Sequence, residues 1–205
     1  MEFYEIELPI EVQPMFVLLV EQEELGITVG LQDRVIQVYE GLVYMDFDSS
    51  RERIVDSIKC YRYEPMDPGL LPPLYLAHHE TLGEPTEIFH NNIRERFRAG
   101  DVKVVEAMRC VAQLAADGRA ALLARDVGWL AELINRNFDT RRSIYRLPKW
   151  QSDMVDTARA CGASAKFAGS GGAIVGTYDG EEMFERLRAN LGAIGSRTIK
   201  PHAAP

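Results

Sequence analysis

The chain lacks a basic excess. Its 23 Lys and Arg are outnumbered by 31 Asp and Glu, a formal charge of −8 over 205 residues. A general nucleic-acid binder needs a basic footprint, and an anionic membrane surface attracts polybasic segments, so neither is expected as a partner. That balance still leaves room for a small anionic ligand in a local basic pocket. Cysteine is scarce as well. Cys60, Cys110 and Cys161 are odd in number and form no CxxC pair, which excludes a disulfide framework and a Cys-based zinc site. They read as buried free thiols in a reducing compartment. His78 and His79 have no ligand-like spacing to His90 or to acids, so no metal is expected there. No apolar run reaches the ~18 residues of a membrane span. The opening "MEFYEIELPIEV" has neither a basic n-region nor an apolar h-region and does not read as a signal peptide. The expected location is the cytoplasm.

What is present is a soluble globular composition, 46% hydrophobic, with a change of character along its length. "PIEVQPMFVLLVEQEELGI" reads as a helix, with Pro14 suited to a first turn and Gly26 to a stop. "TVGLQDR" reads as a loop. "VIQVYEGLVYMDFD" holds two β-rich runs split by Glu40-Gly41, a hairpin-like signal. "IVDSIKCYRYEP" and "LLPPLYLAHHE" read as two more strands, the second marked by Pro72 and Pro73 as an edge or a bulge. Helices follow. "EPTEIFHNNIRERFRAG" ends at Gly100. "DVKVVEAMRCVAQLAADG" has Asp101 as N-cap and a stripe of Val104, Val105, Met108, Val111, Ala112 and Ala115. "RAALLARDVGWLAELINRNFDTRRSIY" reads as two helices broken near Asp126-Gly128, and "SDMVDTARACG" as a helix capped by Ser152 and closed by Gly162. The end reads strand, glycine turn, strand, helix, strand. The class is therefore α+β with a mostly antiparallel sheet.

Several residues suggest chemistry. "AKFAGSGGAIVG" places Gly169, Ser170, Gly171 and Gly172 between two short apolar runs. It is neither a P-loop nor a dinucleotide fingerprint, and a strand leads out of it. It reads either as a β-turn or as a backbone that comes close to a ligand, since glycines permit positive φ. Lys166, just before it, offers a point charge for a phosphate. Asp33 is a turn former or, flanked by Gln32 and Arg34 as polar substrate contacts, an acceptor or orienter of a substrate hydroxyl. Glu21 is either a solvated helix acid or a carboxylate for Mg²⁺. Arg141 and Arg142 suit the end of a helix, and as a pair could also grip a carboxylate or phosphate.

"ASAKFAGSGGAIVG" resembles the third, C-terminal motif of the GHMP kinase superfamily of small-molecule kinases. "EQEELGITVGLQDRVIQVYEGLVYMDF" is similar to the superfamily segment that carries the catalytic aspartate. Together with "YEPMDPGLLPPLYL", "GRAALL" and "NFDTRRSIY", these stretches are most like the glucuronokinases, from about residue 10 to about residue 195. The resemblance implies phosphorylation of a uronic acid's anomeric hydroxyl with ATP and Mg²⁺ as cofactors. It implies Asp33 as the catalytic residue, Glu21 as the metal ligand, and Gly169, Ser170, Gly171 and Gly172 against the nucleotide-phosphate loop. Arg141 and Arg142 are candidates for the uronate carboxylate by charge.

The superfamily's Gly-Ser-rich loop that opens a helix and holds ATP phosphates has no counterpart here; "DSSRER" holds the only Ser-Ser pair. The expectation is thus residues 1–55 as the remnant of an N-terminal kinase domain and 56–205 as the C-terminal domain, with a ferredoxin-like ββαβ finish. A missing kinase half is the expected partner, and the chain alone is expected to be weakly active or inactive. The alternative is a non-catalytic ligand-binding or interaction module. Under truncation, Phe16, Leu19 and Val20 are expected to lack cover.

Overall fold

The computed structural model describes residues 7–26, 30–82, 93–169 and 171–202. The chain divides into two compact units, one reaching Gly69 and one spanning Leu70–His202.

In the first unit, α1 (Gln13–Glu23) has Pro14 in its first turn, as its sequence predicts. It is apolar nearly all round. Pro14, Met15 and Leu18 are buried, whereas Phe16, Val17 and Val20 remain exposed. Then comes α2 (Leu31–Tyr39), where the sequence reads as loop and strand. Val35, Ile36 and Val38 favour strands locally. However, Leu31, Arg34, Val35, Val38 and Tyr39 are its less exposed residues, and that spacing is helical. Packing on α1 therefore overrides propensity. Glu40 and Gly41, at φ 56° and 58°, do not turn a hairpin; they end α2 and redirect the chain into β1 (Leu42–Asp46).

"IVDSIKCYRYEP" is not one strand. Asp56 and Ser57 both take positive φ, 48° and 67°, which closes a tight hairpin between β2 (Arg53–Val55) and β3 (Ile58–Cys60). The chain then continues as β4 (Arg62–Met66), antiparallel to β1 with Tyr44 opposite Glu64.

The second unit is built on β5 (Leu74–His79), α3 (Val102–Ala124), α4 (Val127–Ile144), α5 (Lys149–Ala160), β6 (Lys166–Phe167), β7 (Ala173–Thr177), α6 (Gly180–Ala193) and β8 (Ser196–Ile199). Its sheet has the order β6-β7-β5-β8, antiparallel throughout. This is the strand order of a ferredoxin-like unit, and it confirms the α+β expectation. Pro72 and Pro73 mark neither an edge nor a bulge. They lie just before β5, an inner strand, so its ladders need no N–H from them. Tyr75 and Ala77 point inward and are fully buried. Against them pack Phe138 of α4, Met154 of α5, Ile174 of β7, and Leu187 and Leu191 of α6.

Asp101 caps α3, accepting from the Lys103 and Val104 amides. The helix does not stop at Gly118 but runs to Ala124. One helical glycine costs about 1 kcal/mol, which packing along α4 offsets. Its buried residues are Val104, Ala107, Leu114 and Ala121, so only Val104 of the expected stripe is fully buried. The break is where the sequence places it: Arg125 turns left-handed, and Asp126 caps α4 through the Trp129 amide. Ser152 is not a cap. The N-cap is Pro148, four residues earlier, and no side chain caps the helix there. Residues 93–98 are helical, while all of "EPTEIFHNN" and the last three residues lie outside the described residues. Among the described residues no helix is long and apolar enough to cross a membrane.

Candidate functional site

The first unit gathers Glu21, Asp33 and Arg34. Glu21 lies in the last turns of α1, Asp33 in the first turn of α2, and Arg34 beside it on the inward face. Arg34 is nearly buried and grips Glu21 in a fork: Nε donates to Oε2 at 2.5 Å and Nη2 to Oε1 at 2.6 Å. Its remaining nitrogen, Nη1, lies 3.4 Å from both the Gly30 carbonyl and Asp33 Oδ2. A planar guanidinium suits this geometry because two parallel donors match two carboxylate oxygens. The Arg34 hydrogen bonds and charge hold the Glu21 carboxyl below its ordinary pKa, and Glu21 in turn raises that of Arg34.

Asp33 is different. Its side chain is 77% exposed and touches Arg34 only at long range, so it is available to a ligand. Gln32 is exposed one residue earlier on the same helix. The sequence reads Arg34 as a ligand contact; here its guanidinium ties α1 to α2.

Both Glu21 oxygens face Arg34, and among the described residues no group of three or more His, Cys, Asp or Glu could hold a metal. Mg²⁺ commonly takes one or two carboxylates and draws its other ligands from phosphates and water. Glu21 fits that donor set once a cation replaces the guanidinium.

The second unit holds the glycine turn between β6 and β7. Ser170 lies outside the described residues. The turn is closed by the Ala168 amide donating to the Ala173 carbonyl at 2.9 Å and by the His79 amide donating to the Gly172 carbonyl at 3.1 Å. Gly171 has φ 152°, and a Cβ there would lie 2.8 Å from the buried Gln151 amide. Gly172 has φ 77° and faces the Trp150 ring. At Gly171 a side chain would have to displace Gln151, whereas at Gly172 the space is ordinary and the positive φ is what favours glycine.

Arg141 reaches the turn from α4. Its Nη1 donates to the Gly169 carbonyl at 2.7 Å, and its guanidinium lies 5.2 Å from the ring centres of both Tyr145 and Phe167. Lys166 donates from Nζ to the Phe167 carbonyl at 3.1 Å. Burial lowers the pKa of both cations, and for Lys166 the Arg141 charge adds to this. Arg142 does not join them. Neighbours on a helix point about 100° apart, and Arg142 pairs on the surface with Asp156 at 3.6 Å. The two arginines thus do not act as one clamp. Trp150, Gln151, Tyr145 and His79 are absent from the sequence-based site. They come from three elements, and no local motif joins them to the turn.

Residues 119–195 match the family model "GHMP kinases C terminal". Glucuronokinase 1 from Arabidopsis thaliana is 44% identical over 180 residues, covering 85% of this chain and 48% of that protein. The chain thus spans about half the length of the curated relatives it matches. A Lin0012 protein from Listeria innocua superposes with a TM-score of 0.79 at 14% identity, over 97% of this chain and 61% of that one. Lactococcus lactis galactokinase superposes with a TM-score of 0.72 at 14% identity, over 98% and 61%. At such identity these two share the fold.

Proposed function

We propose, from the match of residues 119–195 to the GHMP kinases C-terminal model, that the chain serves an ATP- and Mg²⁺-dependent sugar kinase acting on the anomeric hydroxyl of a uronic acid such as D-glucuronate. The observation that carries the substrate class is the 44% identity to Arabidopsis glucuronokinase 1 across most of this chain. The exposed Asp33 carboxylate at the start of α2 supports the reaction type.

In this reading Asp33 accepts or orients the proton of the sugar hydroxyl, with Gln32 beside it for polar contact. Before the cation binds, Arg34 keeps that corner in place through Glu21. Bound MgATP would supply the phosphoryl group and shield its charge, with Glu21 as the protein's carboxylate for the cation. In the second unit, the turn of Gly169, Gly171 and Gly172 is assigned to the nucleotide by its resemblance to the superfamily's third motif, and Lys166 brings positive charge to that turn.

The test is a coupled ADP-release assay with Mg²⁺-ATP, on the chain alone and with the expected kinase half supplied, across glucuronate, galacturonate, galactose and heptose, with the product read by ³¹P NMR. Glucuronate 1-phosphate is the expected product, and Asp33→Asn is expected to lower kcat by about 10²–10⁴-fold. Turnover of galactose but not of a uronic acid would overturn the substrate class. Uronate binding by calorimetry, with neither nucleotide binding nor turnover, would replace the kinase reading with a ligand-binding module.

A further inference from the structure

We infer that Arg141 is a positioning residue that fixes the glycine turn, instead of a group that grips the carboxylate of a substrate. Four observations carry this. Its Nη1 is directed at the Gly169 carbonyl, where the turn begins. Its guanidinium lies 5.2 Å from the ring centres of both Tyr145 and Phe167, cation–π contacts that oppose its swinging out to a ligand. It is partly buried, and the lost hydration lowers its pKa, so moving it has a cost. Finally, Arg142 lies elsewhere, on Asp156, so no second arginine completes a carboxylate fork.

The far end of the turn is held separately. The His79 amide binds the Gly172 carbonyl, Trp150 lies against Gly172, and Gln151 against Gly171. Arg141 therefore secures the near end of a short turn whose far end rests on Trp150, so loosening the near end is expected to loosen that contact too. Its effect on a nucleotide is indirect, through the shape of the turn, and this second step rests on the kinase reading above.

Trp150 makes the turn visible. The chain has two tryptophans, so Trp129→Phe leaves Trp150 as the sole reporter. In that background Arg141→Gln and Arg141→Lys are both expected to raise acrylamide quenching of Trp150 without ligand, because lysine keeps the charge but not the flat fork. In Arg141→Ala, millimolar guanidinium is expected to restore the parent quenching, and methylammonium is not. Nucleotide affinity should fall about tenfold in the same variants, as for one lost charge-assisted hydrogen bond, with uronate affinity unchanged. Trp150 quenching that is identical in parent and Arg141→Gln would overturn the inference. So would a loss of uronate affinity with nucleotide affinity intact. A parent protein that binds no nucleotide would remove the kinase reading, while the quenching and guanidinium rescue would still decide the role of Arg141. Should Arg141→Gln fail to fold, the lysine variant supplies the same comparison.

Discussion

Gly176 is the penultimate residue of β7, opposite Tyr75. A Cβ at this position would lie 1.7 Å from the Ser164 carbonyl oxygen, 2.5 Å from its carbon and 3.0 Å from Tyr75 Cε1. The obstacle is backbone, so no rotamer change relieves it. To reach the 3.4 Å of ordinary contact, the Ser164 oxygen must retreat by its whole distance again, from 1.7 Å. That peptide is also a junction. The Tyr75 hydroxyl donates to its carbonyl at 2.9 Å, the Ser164 amide donates to the Thr177 carbonyl at 3.1 Å, and the Thr177 amide donates to Ser164 Oγ at 2.8 Å. Gly176→Ala should therefore cost about 1–3 kcal/mol for overpacking and a further ~1–3 kcal/mol for a buried hydroxyl that loses its acceptor. Less conformational freedom in the unfolded chain returns roughly 0.4–1 kcal/mol. The net loss is about 3 kcal/mol, which for a unit of this size lowers Tm by about 10 °C. Near-UV circular dichroism on heating measures it. A double-mutant cycle sharpens the test: Tyr75→Phe should cost about 1 kcal/mol in the parent and nearly nothing beside Gly176→Ala, because the bond is already gone. A Gly176→Ala protein melting within about 2 °C of the parent, well below the loss expected of overpacking, would refute the packing argument.

Two further outcomes follow from charges. The Glu21 carboxyl has its pKa lowered on folding, so it contributes stability above its unfolded value, near 4.5, and loses it as pH falls through the lower folded value. Acid titration of amide exchange in α1 and α2 should show this loss below about pH 4.5, and Glu21→Gln should abolish that component. Arg142→Ala removes an exposed pair with Asp156 and should shift stability by less than about 0.5 kcal/mol in urea unfolding.

The glycine turn and its flanking strands were legible because every signal there is local. "AKFA" and "AIVG" alternate in burial, glycines separate them, and strand, helix and strand then follow in order. Asp101 announced its helix in the same way, as a capping side chain, and Asp126 marked the break before the next. The helix at α2 was not legible. Its β-branched residues favour a strand, and only the neighbour it packs on decides otherwise. The site divides along the same line. Asp33 and the glycines stand out in the sequence, but the fork from Arg34 to Glu21 spans thirteen positions, and the reach of Arg141 to Gly169 spans twenty-eight. No periodicity encodes either. The partition of Arg141 inward and Arg142 outward depends on helix phase, and two adjacent arginines read alike until that phase is known.

The strand order of the second unit governs how it can be made. β5 is the first strand of its sheet to emerge during synthesis, yet it becomes an inner strand, and both of its partners come late. Tyr75 waits for Gly176, and Ala77 for Thr198. At about 5–20 residues per second of translation, a lag of roughly a hundred residues leaves β5 unpaired for about 5–20 s. During that interval Leu74, Tyr75, Leu76 and Ala77 form an apolar segment with both backbone edges open, while the α3–α4 helical hairpin, whose contacts are local, can already form. The sheet is thus the slow, non-local step of folding, and the exposed β5 is the segment a chaperone would find first.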